Sequence, residues 1–253
     1  MISVAAPLMR LALLSMALLF SIFVGGVASA APLALGTAAP TTLPDNVKIS
    51  YRMRSSLADG IATFSWKREG TRYKLESSIE ANGVFSLVGA LRQSSRGDIT
   101  PQGLQPAFFS IKRGDGVADT ATISRDTNEL KTFARGENKM QPLPARLQDT
   151  LSFLFQLGYD LRAAKGSSDS ISVVASNARK IYRHEFLQVG EETLQTQMGP
   201  VKTIHLKSDA SDPEDVYEVW LAPEKFHLPV KVKFYAGRFL IEQTVTSISV
   251  GSR

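Results

Sequence analysis

The chain has 253 residues, 43% hydrophobic and 21% charged, which is ordinary globular material for one large β domain or two small ones. Lys and Arg number 29 against 24 Asp and Glu, with the excess scattered in pairs such as Arg52/Arg54, Lys67/Arg68 and Lys231/Lys233 and no polybasic run; this argues against a nucleic-acid partner. There are no cysteines, which excludes disulfides, thiol catalysis, Cys-ligated metals and a lipidated N-terminal Cys.

Residues 1–30 have the pattern of a secretory signal peptide: Arg10, a charge-free apolar run from Leu11 to Val24, and Ala28-Ser29-Ala30 as a small-x-small cleavage site. Cleavage there gives a mature chain beginning near Ala31 and a periplasmic protein. The alternative is an inner-membrane anchor formed by residues 11–30, the one segment through which membrane contact is expected. Residues 31–45 are small, Pro-containing and almost uncharged, and read as a flexible leader to a single β-rich domain over 46–250.

The domain opens with period two. In VKISYRM, Val47, Ile49, Tyr51 and Met53 share one face, and Lys48, Ser50 and Arg52 the other. ATFSW follows a turn at Ala58-Asp59-Gly60, and RYKLESSIEA comes next, so the start reads as an antiparallel meander. The alternation continues through VFSLVGAL (84–91), AFFSIKR (107–113), DTATIS (119–124), SISVVAS (170–176), KIYRHEFLQV (180–189), TLQTQM (193–198), VKTIHLKS (201–208), DVYEVWLA (215–222), LPVKVKFY (228–235) and FLIEQTVTSISV (239–250). About 10–12 strands are expected, in a sandwich, an open barrel or one strongly curved antiparallel sheet.

Residues 145–160 break this rule. At helical spacing Leu147, Leu151, Leu154, Phe155 and Gly158 fall in one arc, flanked by Phe153 and Leu157. So wide an apolar arc is more than a helix on a flat sheet needs, and it predicts an amphipathic helix packed in the concave face of a curved sheet. Asp149, at the start of this segment, fits a favourable interaction with the first-turn amides; the alternative is a catalytic acid.

His184, His205 and His227 belong to no HxH, HxxxH or HExxH cluster, so no metal and no cofactor is expected. No Gly-x-Ser-x-Gly elbow is present. Gly114-Asp115-Gly116 reads as a hairpin turn, and the tripeptides Arg96-Gly97-Asp98 and Arg113-Gly114-Asp115 both read as turn chemistry. The aromatic residues allow an apolar cleft between helix and sheet, lined by Trp66, Leu151, Leu154, Phe155, Trp220 and Phe234; a packed core is the alternative.

Several phrases occur together and in order: Ser95-Arg96-Gly97-Asp98-Ile99 leading to Gly103-Leu104-Gln105-Pro106, then Gln148-Asp149-Thr150-Leu151-Ser152, Gly199-Pro200-Val201-Lys202-Thr203, and Trp220-Leu221-Ala222-Pro223 with Leu228-Pro229-Val230-Lys231. As a set they resemble the bacterial family DUF3108, over most of residues 45–250. The resemblance implies an exported, β-rich envelope protein and transfers no catalytic residues. A looser similarity of architecture is to the periplasmic lipoprotein carriers, in which a curved antiparallel sheet holds helices against its inner face.

These readings lead to a noncatalytic periplasmic binding or chaperone-like module for an apolar ligand: an acyl chain, a lipoprotein or a peptide. The alternative is a structural or assembly protein of the envelope with a filled core and an envelope-protein partner. A hydrolase comes third, and requires His184, His205 or His227 to converge with carboxylates in one cleft.

Overall fold

The computed structural model describes residues 43–56, 58–164, 170–209, 216–236 and 239–251. The expected signal peptide and all but the last three residues of the expected leader lie outside them. Those three are anchored: Leu43 is buried, the Pro44 carbonyl accepts from Trp66 Nε1 at 2.9 Å, and Asp45 pairs with Arg68 at 3.0 Å.

The first eight strands are β1 (Asn46–Ser55), β2 (Gly60–Glu69), β3 (Arg72–Ala81), β4 (Leu91–Thr100), β5 (Gly103–Arg113), β6 (Asp119–Ser124), β7 (Glu129–Ala134) and β8 (Glu137–Pro142). A two-residue strand, β9 (Gln148–Asp149), leads into the helix α1 (Ser152–Ala164). The chain returns through β10 (Ser170–Ser176), β11 (Ile181–Thr196), β12 (Gly199–Ser208), β13 (Tyr217–Ala222), β14 (Leu228–Ala236) and β15 (Phe239–Gly251).

All fifteen belong to one sheet, in the order β8-β7-β6-β5-β4-β3-β2-β1-β15-β14-β13-β12-β11-β10-β9. Every pairing is antiparallel except β9 with β10. The first and last strands meet in the middle of the sheet, since β1 pairs β15 from Asn46↔Gly251 to Ser55↔Ile241. The seam lies between β8 and β9, which are neighbours in sequence. Six residue steps from Pro142 to Gln148 reach at most about 22 Å, whereas fourteen strand spacings in a flat sheet span about 67 Å. The sheet therefore curls until its two edges face each other, without closing. Bulges at Ser50/Tyr51, Arg96/Gly97, Gln188/Gly190 and Trp220/Leu221 add the local twist that such curling needs.

The fold is thus mainly β, a strongly curved open barrel holding one helix, as the sequence predicts, with several differences in detail. There are fifteen strands where 10–12 were expected, because β7 and β8 are too polar to show an apolar face; every residue of β8 is exposed. VFSLVGAL is largely a 3-10 turn over Gly83–Val88, and β4 begins only at Leu91. KIYRHEFLQV and TLQTQM are one long strand, β11, interrupted only by a bulge. Arg96-Gly97-Asp98 lies within β4 and is not a turn. A Cβ on Gly97 would sit 2.0 Å from the Gln105 carbonyl oxygen, so this glycine permits close approach of β5 at the bulge.

The helix starts later than its periodicity predicts. Residues 147–151 are not helical, because side chains there satisfy the backbone in another way. Asp149 Oδ1 accepts from the amides of Leu151 and Ser152 at 2.9 and 2.7 Å, and Ser152 Oγ accepts from the Asp149 amide at 3.0 Å. From Ser152 to Gly158 every residue of α1 is buried, right round the helix. Gly158 belongs to this enclosure, since a Cβ there would lie 2.7 Å from the His227 carbonyl oxygen in the β13–β14 turn. A helix buried on all sides sits inside the curl as a plug.

Candidate functional site

The inner face of the sheet meets α1 through aromatic rings. Trp66 on β2 lies between Tyr73 (5.5 Å, 9°) and Phe155 (5.8 Å, 12°), a stack of three rings joining two strands and the helix. Phe153 faces Phe186 at 6.2 Å and Tyr217 at 5.3 Å, and Phe234 stacks on Tyr217 at 5.6 Å. Leu151, Leu154 and Leu157 are buried in the same core. Five of the six predicted lining residues, Trp66, Leu151, Leu154, Phe155 and Phe234, therefore share the inner core. Between helix and sheet these side chains pack on one another.

The sixth is elsewhere. Val219 packs in the core and Tyr217 against Phe153, so strand alternation puts Trp220 on the outer face. There it stacks on His205 at 4.1 Å, donates through Nε1 to Glu192, and lies beneath the ammonium groups of Lys231 and Lys233 at 4.9 and 5.5 Å. It is buried because the β11–β12 hairpin folds over it. The apolar composition of LPVKVKFY and DVYEVWLA gives no sign of that cover.

The polar groups inside fasten α1 to the sheet. Gln156 Oε1 accepts from the Leu104 amide at 2.7 Å, and Gln148 Nε2 donates to the Leu104 carbonyl at 2.8 Å, so two glutamines clamp the first turn of β5. Ser95 Oγ donates to Asp149 Oδ2 at 2.6 Å and lies 3.0 Å from Tyr73 OH. Burial pushes the Asp149 carboxyl up to about 6 despite these hydrogen bonds and those from the Leu151 and Ser152 amides. Desolvation, and then the charge of Asp149, likewise raise the Tyr73 phenol. Asp149 and Ser95 are 0% exposed, and the carboxylate accepts from the amides of Leu151 and Ser152 where the chain enters α1.

The three histidines occupy three environments. His184 faces inward among Tyr182, Phe186 and Tyr217. His205 is on the outer face, its Nε2 2.9 Å from Glu218 and its Nδ1 3.7 Å from Glu192. His227 sits in the β13–β14 turn, where burial and the Arg162 guanidinium hold it down at about 4. Among the described residues no three His, Cys, Asp or Glu side chains gather as metal ligands.

Open cavities among the described residues include one of about 480 Å³ beside Lys67, Arg72, Lys74 and Arg96, one of about 320 Å³ beside Glu191 and Lys202, and two that involve the hairpin and the seam. The hairpin cavity, of about 340 Å³, is on the outer face, between Arg52, Arg54, Lys231 and Thr244 below and the hairpin residues Thr196 and Gln197 above. The seam cavity, of about 480 Å³, runs from Lys139 and Met140 on β8 to Ser176 and Arg179. The sequence carried a partial signal for the hairpin cavity: Arg52/Arg54 and Lys231/Lys233 are spaced by two on wet strand faces, but only the β1–β15–β14 pairing places them side by side.

Among solved structures the chain is similar to a β-barrel-like protein of domain of unknown function DUF1849 from Brucella abortus, with a TM-score of 0.58 at 6% identity, over 83% of this chain and 99% of that one. That likeness concerns the fold alone. No curated protein matches the sequence. The model of the family described as "Protein of unknown function (DUF3108)" matches residues 47–237, from the first strand of the sheet to the end of β14, and the chain belongs to that family.

Proposed function

We propose that the chain is a noncatalytic binding or assembly module of the bacterial cell envelope, periplasmic, working from its outer surface around a filled interior. The observation that carries this reading is the burial of α1 on every side from Ser152 to Gly158. The periplasmic part rests on the pattern of residues 1–30 and on a fold that needs no cysteine. The noncatalytic part rests on the placement of the titratable groups: Asp149 is enclosed, His184 lies inside and His227 in a turn, while His205, which meets Glu192 and Glu218 on the outer face, has its ring stacked on Trp220.

A second reading, carriage of an acyl chain, lipoprotein or apolar peptide, is favoured by the aromatic inner surface of Tyr73, Trp66, Phe153 and Tyr217. It requires α1 to withdraw before a ligand enters. Melting curves and Trp66 fluorescence, recorded for a Trp220→Phe protein with fatty acids, phospholipids and apolar peptides, separate the two. A filled interior gives no change. A rise in Tm that follows ligand concentration, with an altered Trp66 emission, replaces the first reading by the second. Fractionation of cells tests the location: the chain belongs in the periplasmic extract, and recovery in the cytoplasm overturns export.

A further inference from the structure

The outer face of β14, β15 and β1 holds a feature that the filled interior does not require. Register places Arg52 opposite Thr244 and Thr244 opposite Lys231, with Arg54, Glu242 and Lys233 forming the next row. Arg52 and Arg54 are two residues apart on one face, about 7 Å between their Cα atoms. Glu242 is already engaged by Lys231 at 3.2 Å and Lys233 at 3.9 Å. Neither guanidinium has a hydrogen-bond or ion-pair partner among the described residues. Two unengaged guanidinium groups and two ammonium groups thus share this face with one carboxylate.

This patch is roofed. The end of the β11–β12 hairpin brings Gln195, Thr196 and Gln197 over it, bordering the open cavity of about 340 Å³. The roof is fixed to the sheet: Glu192 accepts from Trp220 Nε1, Thr203 Oγ1 donates to the Glu192 carbonyl at 2.9 Å, and Val201 is buried in the core. The turn itself is held by Thr196 Oγ1, which donates to the Gly199 carbonyl at 2.8 Å and accepts from the Met198 amide at 3.0 Å.

We propose that this groove binds a phosphate group, carried either by a free phosphate compound or by an anionic lipid headgroup. Guanidinium forks match phosphate oxygens two at a time, and two of them on one strand face, with ammonium groups beside them, suit an anion with three or four oxygens better than a carboxylate. The side-chain amides of Gln195 and Gln197 and the Thr244 hydroxyl supply neutral donors around it. The reading is independent of whether α1 ever moves.

The test uses the full chain at low salt, with inorganic phosphate by equilibrium dialysis and with phosphatidylglycerol or phosphatidylcholine vesicles by co-sedimentation. Binding is expected to phosphate, to phosphatidylglycerol vesicles or to both, and not to phosphatidylcholine; binding to vesicles alone identifies the headgroup as the source. Arg52→Gln/Arg54→Gln is expected to weaken it tenfold or more, and Arg52→Lys/Arg54→Lys by less, because charge remains and the fork is lost. Lys112→Gln/Arg113→Gln, at the exposed end of β5, removes equal charge elsewhere and leaves binding unchanged. No binding to either probe overturns the site, as does equal loss from the two Gln double variants. Should the arginine-to-Gln protein not fold, the Lys pair carries the same comparison.

Discussion

Arg179 and Asp119 tie the two ends of the sheet together. Arg179, in the turn between β10 and β11, meets the Asp119 carboxylate at the start of β6 at 2.6 Å, across the seam between β8 and β9. The other Asp119 oxygen accepts from the Arg135 amide at 3.0 Å, in the β7–β8 turn. Asp119→Ala is therefore expected to lower stability by about 2 kcal/mol, since it strands a guanidinium and an amide together. Arg179→Ala is expected to cost less, about 1 kcal/mol, because its side chain is half exposed. Urea denaturation midpoints of the two variants check the order; Arg179→Ala proving the more damaging contradicts it.

Phe155 is the helix residue that closes the ring stack with Trp66 and Tyr73. Phe155→Ala is expected to cost about 3–5 kcal/mol and to shift Trp66 emission, because the vacated space lies against that indole. Denaturation followed by fluorescence measures both. A loss below about 1 kcal/mol means the interior collapses or was never filled.

Asp149 gives a dependence on pH. Its folded carboxyl titrates at about 6, above the ordinary value of 3.8, so between these values the folded state binds more protons than the unfolded one. Its contribution to stability is then most favourable below pH 4 and is lost as pH rises through about 6, by up to about 3 kcal/mol. In Asp149→Asn the amide oxygen still accepts from the Leu151 and Ser152 amides and the titration is gone. Relative to this variant, wild type is expected to be more stable at pH 4 than at pH 7. Equal differences at both pH values contradict the raised pKa.

Gly97→Ala is expected to destabilise by about 1–3 kcal/mol, because the new methyl meets the Gln105 carbonyl at a bulge whose partner strand cannot retreat from the core. Arg96→Ala, whose guanidinium lies 4.5 Å over the exposed-side ring of Phe108, is expected to cost much less. Thermal melts of the two decide whether the tripeptide is strand architecture.

Much of this fold was legible in the sequence because curvature leaves a trace in composition. The strands β1, β2, β3, β10, β12 and β14 alternate clearly, since one face meets the core and the other meets water. The wide apolar arc around Leu154 and Phe155 announced a helix enclosed on several sides. What stayed hidden was set by contacts distant in sequence. β8 has no apolar face, so its place at the seam shows only through pairing with β7. Leu147 to Leu151 have helical periodicity, but Asp149 and Ser152 take the backbone amides that a helix would have used. Trp220 has the hydropathy of a core residue and lies on the outer face beneath the β11–β12 hairpin, with Glu192 and His205. The arginine groove was hidden for the same reason: its members come from β1, β11, β14 and β15.

α1 is a structural plug, enclosed by the sheet and as stable as the strands around it. Native-state hydrogen exchange of the amides of Phe155, Gln156 and Leu157, compared with core amides of β2, β5 and β14, tests it most directly. These helix amides are expected to exchange only through global unfolding, with the same free energy as the strands and the same dependence on denaturant. Exchange of the helix at several kcal/mol below the strands, through a local opening, contradicts this and makes α1 a removable lid.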